Sequence, residues 1–540
     1  MYPVMRENVM RITAGMFVAL LLLAACQPDE VKPELPTVIP TAVASQPTTT
    51  PQPIPTIQPL PTNTPPPTAV PLAPTAPAPI AIALPPEWET VVTAALTQLD
   101  NQQWQILPSD APLDALGSGQ AQIALSNGDA GSLVYQEPVV LAVPFFTPWE
   151  AVTLVEAEEI LANGRNDVTI LTWDEMTPDM KALRVDGLHP TDAAYPLQKR
   201  LTLTAVPEAQ TAAANLTAAL QTALAPEPDV KVTAVGDIML ARLLGELIEQ
   251  GKLEFPFAPV APHLQNADLT IGNMESALGT LGQPEDKVYT FRAPPEAAQS
   301  LALAGFDVVS LANNHALDYG PEALLQGIDL LNAANVAPVG AGADYAAAHQ
   351  PYLTEINGLK LAVLGYVNVG MEGSPPYFVT ESWTATETTP GVAWANPEEI
   401  MADVTAVHDQ TDLVIVILHS GLEYVEQPGP EQIAAAYAAI DAGADIVIGH
   451  HPHILQGIEY YKDGVIVYSL GNFAFQIDGD PGTAILNVWL DKDGVHSMEL
   501  IPALVQESGQ PRLATEEEAE PIRQWVYFLS RFLPVENLGD

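Results

Sequence analysis

The stretch Gly449-His450-His451-Pro452-His453 follows an apolar run, Asp445-Ile446-Val447-Ile448. Three imidazoles in four residues stand out in a 540-residue chain that has 10 histidines. Imidazole is the commonest neutral metal ligand. On a continuing strand, His451 and His453 are alternate residues, so both rings point the same way. Pro452 stiffens the backbone between them. The competing reading is a polar loop whose histidines are incidental. The rest of the chain decides between the two.

From Asp229 to about Leu504, short apolar segments alternate with Ala/Leu-rich stretches, the rhythm of βα units. Nearly every predicted strand runs into a polar cluster. Val232–Val235 leads to Gly236-Asp237, and Leu269–Ile271 to Gly272-Asn273-Met274-Glu275. Val308–Leu311 leads to Asn313-Asn314-His315, Leu413–Leu418 to His419, and Val465–Leu470 to Gly471-Asn472-Phe473. In α/β sheets, ligands bind outside the carboxyl ends of strands. Here those ends offer carboxylate, amide oxygen and imidazole with no thiolate, a donor set suited to Zn, Mn or Fe. Alone, Asp237 reads as a helix cap, Asn314 as a turn residue and His419 as a buried core histidine. Their recurrence on successive strands carries the metal reading.

These residues bring the region to a family. Gly236-Asp237-Ile238-Met239, Asn273-Met274-Glu275, Ala312-Asn313-Asn314-His315-Ala316-Leu317-Asp318-Tyr319-Gly320, His419-Ser420-Gly421-Leu422-Glu423-Tyr424, the histidine cluster and Ser469-Leu470-Gly471-Asn472-Phe473 resemble the CapA family of poly-γ-glutamate capsule synthesis proteins. That family looks like calcineurin-type metallophosphoesterases. The resemblance spans Asp229 to Leu504 and implies a four-layer α/β/β/α fold with two packed sheets. It implies one or two divalent ions, held by Asp237, Glu275, Asn314, His419, His451 and His453. It implies His315 as general acid on the leaving group. Asn273, Asp318, Glu423, His450, Asn472 and Arg292 are expected to support the ligands or to face substrate. Three positions depart from the pattern: Met239 stands where an imidazole is usual, Gly272-Asn273 where Gly-Asp is usual, and Ser420 where Trp is frequent. Lys287, Tyr289 and Arg292 are a run of rare cations and an aromatic, read slightly in favour of a solvated face.

The remaining segments frame this region. Arg6 and Arg11 precede an apolar run, Met16–Ala25, that is too short to span a bilayer. It ends in Leu23-Ala24-Ala25-Cys26 and resembles a bacterial lipoprotein signal, with Cys26 as the lipidated residue. Cys26 is also the single cysteine, so no disulfide forms within one chain. Residues 27–86 are Pro/Thr-rich and read as an extended linker. Residues 87–226 become globular, with a predicted helix at Trp88–Leu96 and strands at Ala121–Ser126, Val139–Phe145 and Arg200–Ala205. Leu116–Ser126 and Tyr195-Pro196-Leu197 resemble part of a solute-binding protein, and no site residues are assigned there. Residues 505–540 form a tail with a terminal helix expected over Ile522–Phe532.

Lys and Arg total 19 against 66 Asp and Glu, a formal net charge of -47. That balance argues against nucleic acid or anionic headgroups as partners. The expectation is an extracytoplasmic, membrane-anchored protein of capsular polymer synthesis or export, partnered by the polymer or its membrane synthase. Three readings remain open: a metal-dependent hydrolase or transferase, acting on a phosphoester or a γ-glutamyl bond; a non-catalytic, metal-binding assembly factor; and a solute receptor before Pro226 that feeds the metal domain.

Overall fold

A computed structural model describes residues 78–99, 103–373, 377–476 and 479–533. The chain divides into two units, Met1–Thr75 and Ala76–Asp540. The first unit, with Cys26 and most of the expected linker, lies outside the described residues. No helix among the described residues is long and apolar enough to cross a membrane.

The principal strands from residue 230 onward are β1 (Val230–Ile238), β2 (Leu269–Met274), β3 (Val308–Ser310), β4 (Leu359–Asn368), β5 (Leu413–Ser420), β6 (Ile446–His450), β7 (Gly464–Val467), β8 (Asn472–Ala474), β9 (Gly482–Asp491) and β10 (Gly494–Val505). They form two sheets. One has eight strands, in the order Ala337–Val339, β3, β2, β1, β9, β10, Pro511–Leu513, with β8 pairing beside β1. The other has six, in the order Tyr352–Ile356, β4, β5, β6, β7, Ile458–Tyr461.

The sequence of β5 explains its place. Leu413 to Leu418 is an unbroken apolar run, and every residue of β5 is buried. Such runs belong to strands covered on both faces, whereas half-exposed strands alternate. One side chain set enters a core shared by both sheets: Val232, Ile271 and Val308 meet Leu361, Leu413, Ile415, Ile446 and Ile448. The opposite set of the six-stranded sheet, including Val414, Val416 and Val447, packs under helices. The far face of the other sheet is covered in the same way.

The helices over these faces are α1 (Arg242–Glu249), α2 (Ala297–Ala304), α3 (Gly320–Ala333), α4 (Pro397–His408) and α5 (Pro430–Asp441). The start of α4 shows how sequence sets a boundary. Asn396 accepts a hydrogen bond from the Glu398 amide at 2.9 Å, and Pro397 follows with its fixed φ and no amide to leave unpaired. The long Ala-rich stretches expected to cover the sheets correspond to α3 and α5.

Residues 80–205 build a separate seven-stranded sheet, whose first strand is Ile80–Leu84. That strand falls inside the stretch expected as linker, because the apolar pattern Ile80-Ala81-Ile82-Ala83-Leu84 pairs in parallel with Trp104–Pro108 and Ile123–Asn127. The predicted strands of this region appear at Ile123–Asn127, Ser132–Pro144 and Gln198–Ala205, and the helix at Glu89–Leu96. The terminal helix, α6 (Glu516–Ser530), begins six residues before its expected start. Its capping box, Thr515 with Glu518, sets that start. Val526 and Tyr527 of α6 join Phe145 in the core shared by the two sheets.

Candidate functional site

Register brings the polar strand ends together. Asp237 pairs with Asn273, and Asn273 with Ser310, at the carboxyl ends of β1, β2 and β3. In the facing sheet His419 pairs with His450. Two glycines let the backbones close up here. A Cβ on Gly236 would overlap the carbonyl oxygen of Gly471, and one on Gly449 that of Tyr468.

The histidine cluster does not continue as a strand. β6 ends at His450, and His451 and His453 follow in a turn with φ of 96° and 58°. Alternation along a strand therefore does not aim these two rings; a left-handed turn does. The two ring centroids lie 5.7 Å apart.

Two groups of donor atoms result, each with its atoms within 4.8 Å of one another: Glu275, His419 and His451, and Asp237, Glu275 and His453. Every member is buried. Asn314 adjoins the first group, its Oδ1 2.7 Å from His419 Nε2. Asn273 braces both groups: its Nδ2 donates to Asp237 Oδ1 at 2.9 Å and lies 3.0 Å from His419 Nδ1. Its own Oδ1 accepts from Asn313 Nδ2 at 3.1 Å. His450 Nδ1 lies 3.0 Å from Asp237 Oδ1, and Asn472 Oδ1 lies 3.0 Å from His453 Nδ1. Met239 does not fill the place of an imidazole chemically. It is buried in an apolar cluster with Phe291 and Phe475.

The fit of a cation can be tested on the donors themselves. Both oxygens of Glu275 are buried with no hydrogen-bond partner among the described residues, and so is His451 Nδ1. Orphaned buried acceptors are costly, and a native carboxylate in that condition calls for an explanation. Burial and the neighbouring Asp237 push Glu275 well above the usual carboxylate range. Burial also pushes Asp237 up, but hydrogen bonds from His450 and His453 outweigh it and hold Asp237 well below that range. Burial lowers His451 to about 3 and puts His419 well below its ordinary value. Burial also lowers His453, but its hydrogen bond to Asp237 outweighs that and raises it. Neutral imidazole at His419 and His451, beside closely packed carboxylates, is what a divalent ion requires, so these residues fit one.

Beside the two groups, His315 Nδ1 lies 2.7 Å from Asp318 Oδ2. Asp318 Oδ2 also accepts from the Phe291 amide at 2.6 Å, and Asp318 Oδ1 from Lys287 Nζ at 2.8 Å. Lys287 Nζ reaches Glu372 Oε2 at 3.0 Å and donates to the Asn314 carbonyl at 2.6 Å. The Lys287 side chain is 1% exposed. The reading of Lys287 as part of a solvated face is thus corrected: a buried lysine here locks Asp318, and through it His315.

A cavity of about 540 Å³ opens over the site, lined among others by His315, His453, Glu423, Tyr289 and Tyr424. Arg292 is not among its lining residues. Phe291 and Ala293 point inward, so the alternate residue Arg292 points out, its guanidinium 4.2 Å over the Tyr319 ring. Sequence reasoning missed Asn313 and Arg242, which also reach the site or its cavity. The Asn313-Asn314 doublet and the cation six residues after Gly236 were the available signals.

The comparisons with known proteins bear on residues 231–477, which match the family described as bacterial capsule synthesis protein PGA_cap. The capsule biosynthesis protein CapA of Bacillus anthracis is 34% identical over 298 residues, spanning 53% of this chain and 69% of the relative. This chain belongs to that capsule synthesis family. The PGA biosynthesis protein CapA of Bacillus subtilis (strain 168) is 33% identical over 283 residues, 51% of this chain and 71% of the relative. A probable polyglutamine synthesis accessory protein of Mycobacterium tuberculosis is 31% identical over 261 residues, 46% of this chain and 67% of the relative. Asp237, Glu275, Asn314, His419, His451 and His453 all fall within the PGA_cap match; the seven-stranded sheet at 80–205 lies outside it.

Proposed function

We propose that this chain is a metal-dependent hydrolase or transferase acting at the cell surface in the synthesis or export of capsular poly-γ-glutamate or a related polymer. The observation that carries the metal reading is Glu275, a carboxylate shared by both donor groups, buried, with neither oxygen hydrogen-bonded among the described residues. The printed names of the Bacillus relatives support the capsule role. We read the two sheets and their helical covers as the α/β/β/α sandwich of metallophosphoesterases, a reading supported by the core that both sheets share. We read the sheet at 80–205 as a solute-binding-protein-like accessory domain, residues 229–504 as the capsule-synthesis domain, and Cys26 as the lipid anchor of an extracytoplasmic protein. The partners in this reading are the polymer or its membrane synthase, and not nucleic acid.

In this reading Glu275, Asn314, His419 and His451 would hold one ion of Mn, Zn or Fe, and Asp237, Glu275 and His453 would hold a second. Bound there, such ions supply Lewis-acid polarisation of the scissile group. The protein's own part is orientation and proton supply. Asp318 takes the Nδ1 side of His315, which leaves Nε2 toward the cavity. A proton on Nε2 is then positioned for the leaving oxygen or nitrogen. Asn273 and Asn472 fix Asp237, His419 and His453 through hydrogen bonds of 2.9–3.0 Å. Glu423 lines the cavity near this group.

A second reading is a non-catalytic assembly factor. It is supported by Met239, which leaves the second group with three donors, and by the word accessory in the mycobacterial relative's name. The test uses the full chain. Metal content is measured for wild type, Glu275→Gln and the His451→Ala/His453→Ala pair, alongside hydrolysis of a phosphodiester and of a γ-glutamyl peptide after Mn or Zn loading. One or two metals per chain, lost in the variants together with turnover, is the expected result. Metal without turnover of either bond selects the assembly factor. No metal in wild type overturns both readings.

A further inference from the structure

The cavity over the site has a sharply uneven charge. Its lining carries three acids, Asp286, Glu372 and Glu423, and two cations, Lys287 and Arg242. Lys287 is spent on Asp318, Glu372 and the Asn314 carbonyl. Arg242 differs. It is exposed, and among the described residues no carboxylate lies within ion-pair distance of it. Among the described residues its one hydrogen-bond acceptor is the Gln476 carbonyl, 2.8 Å from Nη1.

The backbone at Arg242 is unusual too. Its φ is 52°, in the left-handed region that costs a non-glycine residue about 1 kcal/mol or more. Nothing about helix formation requires an arginine there, and Gly would take that conformation without strain. The strained backbone delivers the side chain to one place. The Arg242 guanidinium lies 4.8 Å over the Phe291 ring, and that ring is 4.4 Å from the ring of His315. Phe291 is itself pinned, since its amide donates to the same Asp318 oxygen that holds His315. Arg242, Phe291 and His315 therefore lie in a row of contacting groups, the two rings tilted by 37°, with a planar cation at one end and the proposed proton donor at the other.

We propose that Arg242 is the anion-recognition residue of this site. It would take a carboxylate or phosphoryl group of the substrate and set that group's distance from the bond served by His315. This rests on the metal-site reading of the cavity. The chemistry follows from the charges: a protein of net charge -47 repels anions at long range, so an anionic substrate needs a local, unspent cation. Arginine suits the task because its planar fork can bond a carboxylate or a phosphate in two places while the face stays on an aromatic ring.

The test is equilibrium binding to the full chain by calorimetry, with and without Mn, using three probes: an N-acetylated γ-linked glutamate trimer, its methyl-esterified neutral form, and phenyl phosphate. The variants are Arg242→Lys and Arg242→Gly. The expected result is a loss of affinity of about tenfold or more for whichever anionic probe wild type binds, smaller for Lys than for Gly. The neutral probe should change less than twofold, and metal content should hold. Arg242→Gly should melt no lower than wild type, because it removes a strained residue. A melting point that falls while anion affinity holds would make Arg242 a structural residue and overturn the proposal. If wild type binds phenyl phosphate but not the trimer, and the variants lose it, Arg242 stands and the γ-glutamyl substrate falls. If wild type and variants bind the trimer equally, the substrate class stands and the role of Arg242 falls. If wild type binds neither anion, both fall.

Discussion

At the residue scale the site depends on buried charged groups that hold one another in place. Lys287 and Asp318 are 1% and 0% exposed, and removing one charge of such a pair strands the other. Asp318→Asn should therefore cost about 3 kcal/mol of stability, at the lower end for buried pairs because Glu372 still faces Lys287. Urea unfolding of the metal-free chain measures this, and a loss below about 0.5 kcal/mol would mean that the ion pair contributes nothing. The donor atoms of both metal groups are untouched by this change, so metal per chain should stay at the wild-type value. Much of this chemistry was legible beforehand. Asp237, Glu275, His419, His451 and His453 are polar residues at the ends of apolar runs, and that pattern is visible in one dimension. Lys287 was not legible, because no local pattern marks a lysine as buried; its burial follows from three acceptors 27 to 85 positions away.

At the element scale the architecture rests on a few close backbone approaches. β6 can bring His450 against Asp237 because Gly449 lies directly against the Tyr468 carbonyl. Adding one methyl there forces backbone, not a flexible side chain, to move. Gly449→Ala should cost about 3 kcal/mol, the upper part of the range for overpacked cores, and should lower metal affinity along with stability. Gly370, with nothing near its Cβ position, is the matched control, and Gly370→Ala should stay within about 0.5 kcal/mol of wild type. Equal thermal midpoints for the two variants would refute the close-approach argument. Apolar runs such as Leu413–Leu418 announced their strands because a doubly covered strand is apolar throughout. The turn after β6 was misread for a related reason. His-x-His fits strand alternation equally well, and only the positive φ values of His451 and His453 reveal that a turn aims the rings. The start of α6 was missed because Glu516–Glu520 looks like a solvated acidic run, while Glu518 in fact caps the helix.

At the scale of the whole molecule, the sheet at 80–205 is joined to the site-bearing sheets by a buried aromatic junction. Sequence composition could not show it, because its members lie hundreds of positions apart. Trp173 packs edge-on against Trp489 at 5.4 Å, and His189 stacks on Trp489 at 4.5 Å. Burial lowers His189 to about 4, with Glu499, Arg184, Asp192 and Lys231 as the charged groups around it. A histidine with a depressed native value contributes stability that is present above its unfolded value near 6.5 and is lost as pH falls toward 4. At the start of β6 Asp445 accepts the Val414 amide at 2.7 Å, and burial raises it to about 7, with Asp491 nearby. A carboxylate with a raised native value works the other way. Its stability is fully present below its unfolded value near 4 and is lost as pH rises through 7. Between pH 4 and 6.5 the two groups therefore oppose each other, each with a slope of up to about 1.4 kcal/mol per pH unit. His189→Phe keeps the ring stack and removes one slope; Asp445→Asn keeps an acceptor for Val414 and removes the other. Relative to wild type, His189→Phe should gain stability as pH drops from 6.5 to 4, whereas Asp445→Asn should gain it as pH rises from 4 to 7. The double variant should show both gains, since neither group is among the charges that shift the other. Denaturant unfolding at four pH values reads these differences directly, and a His189→Phe advantage that stayed constant with pH would show that the junction histidine does not titrate in the folded protein.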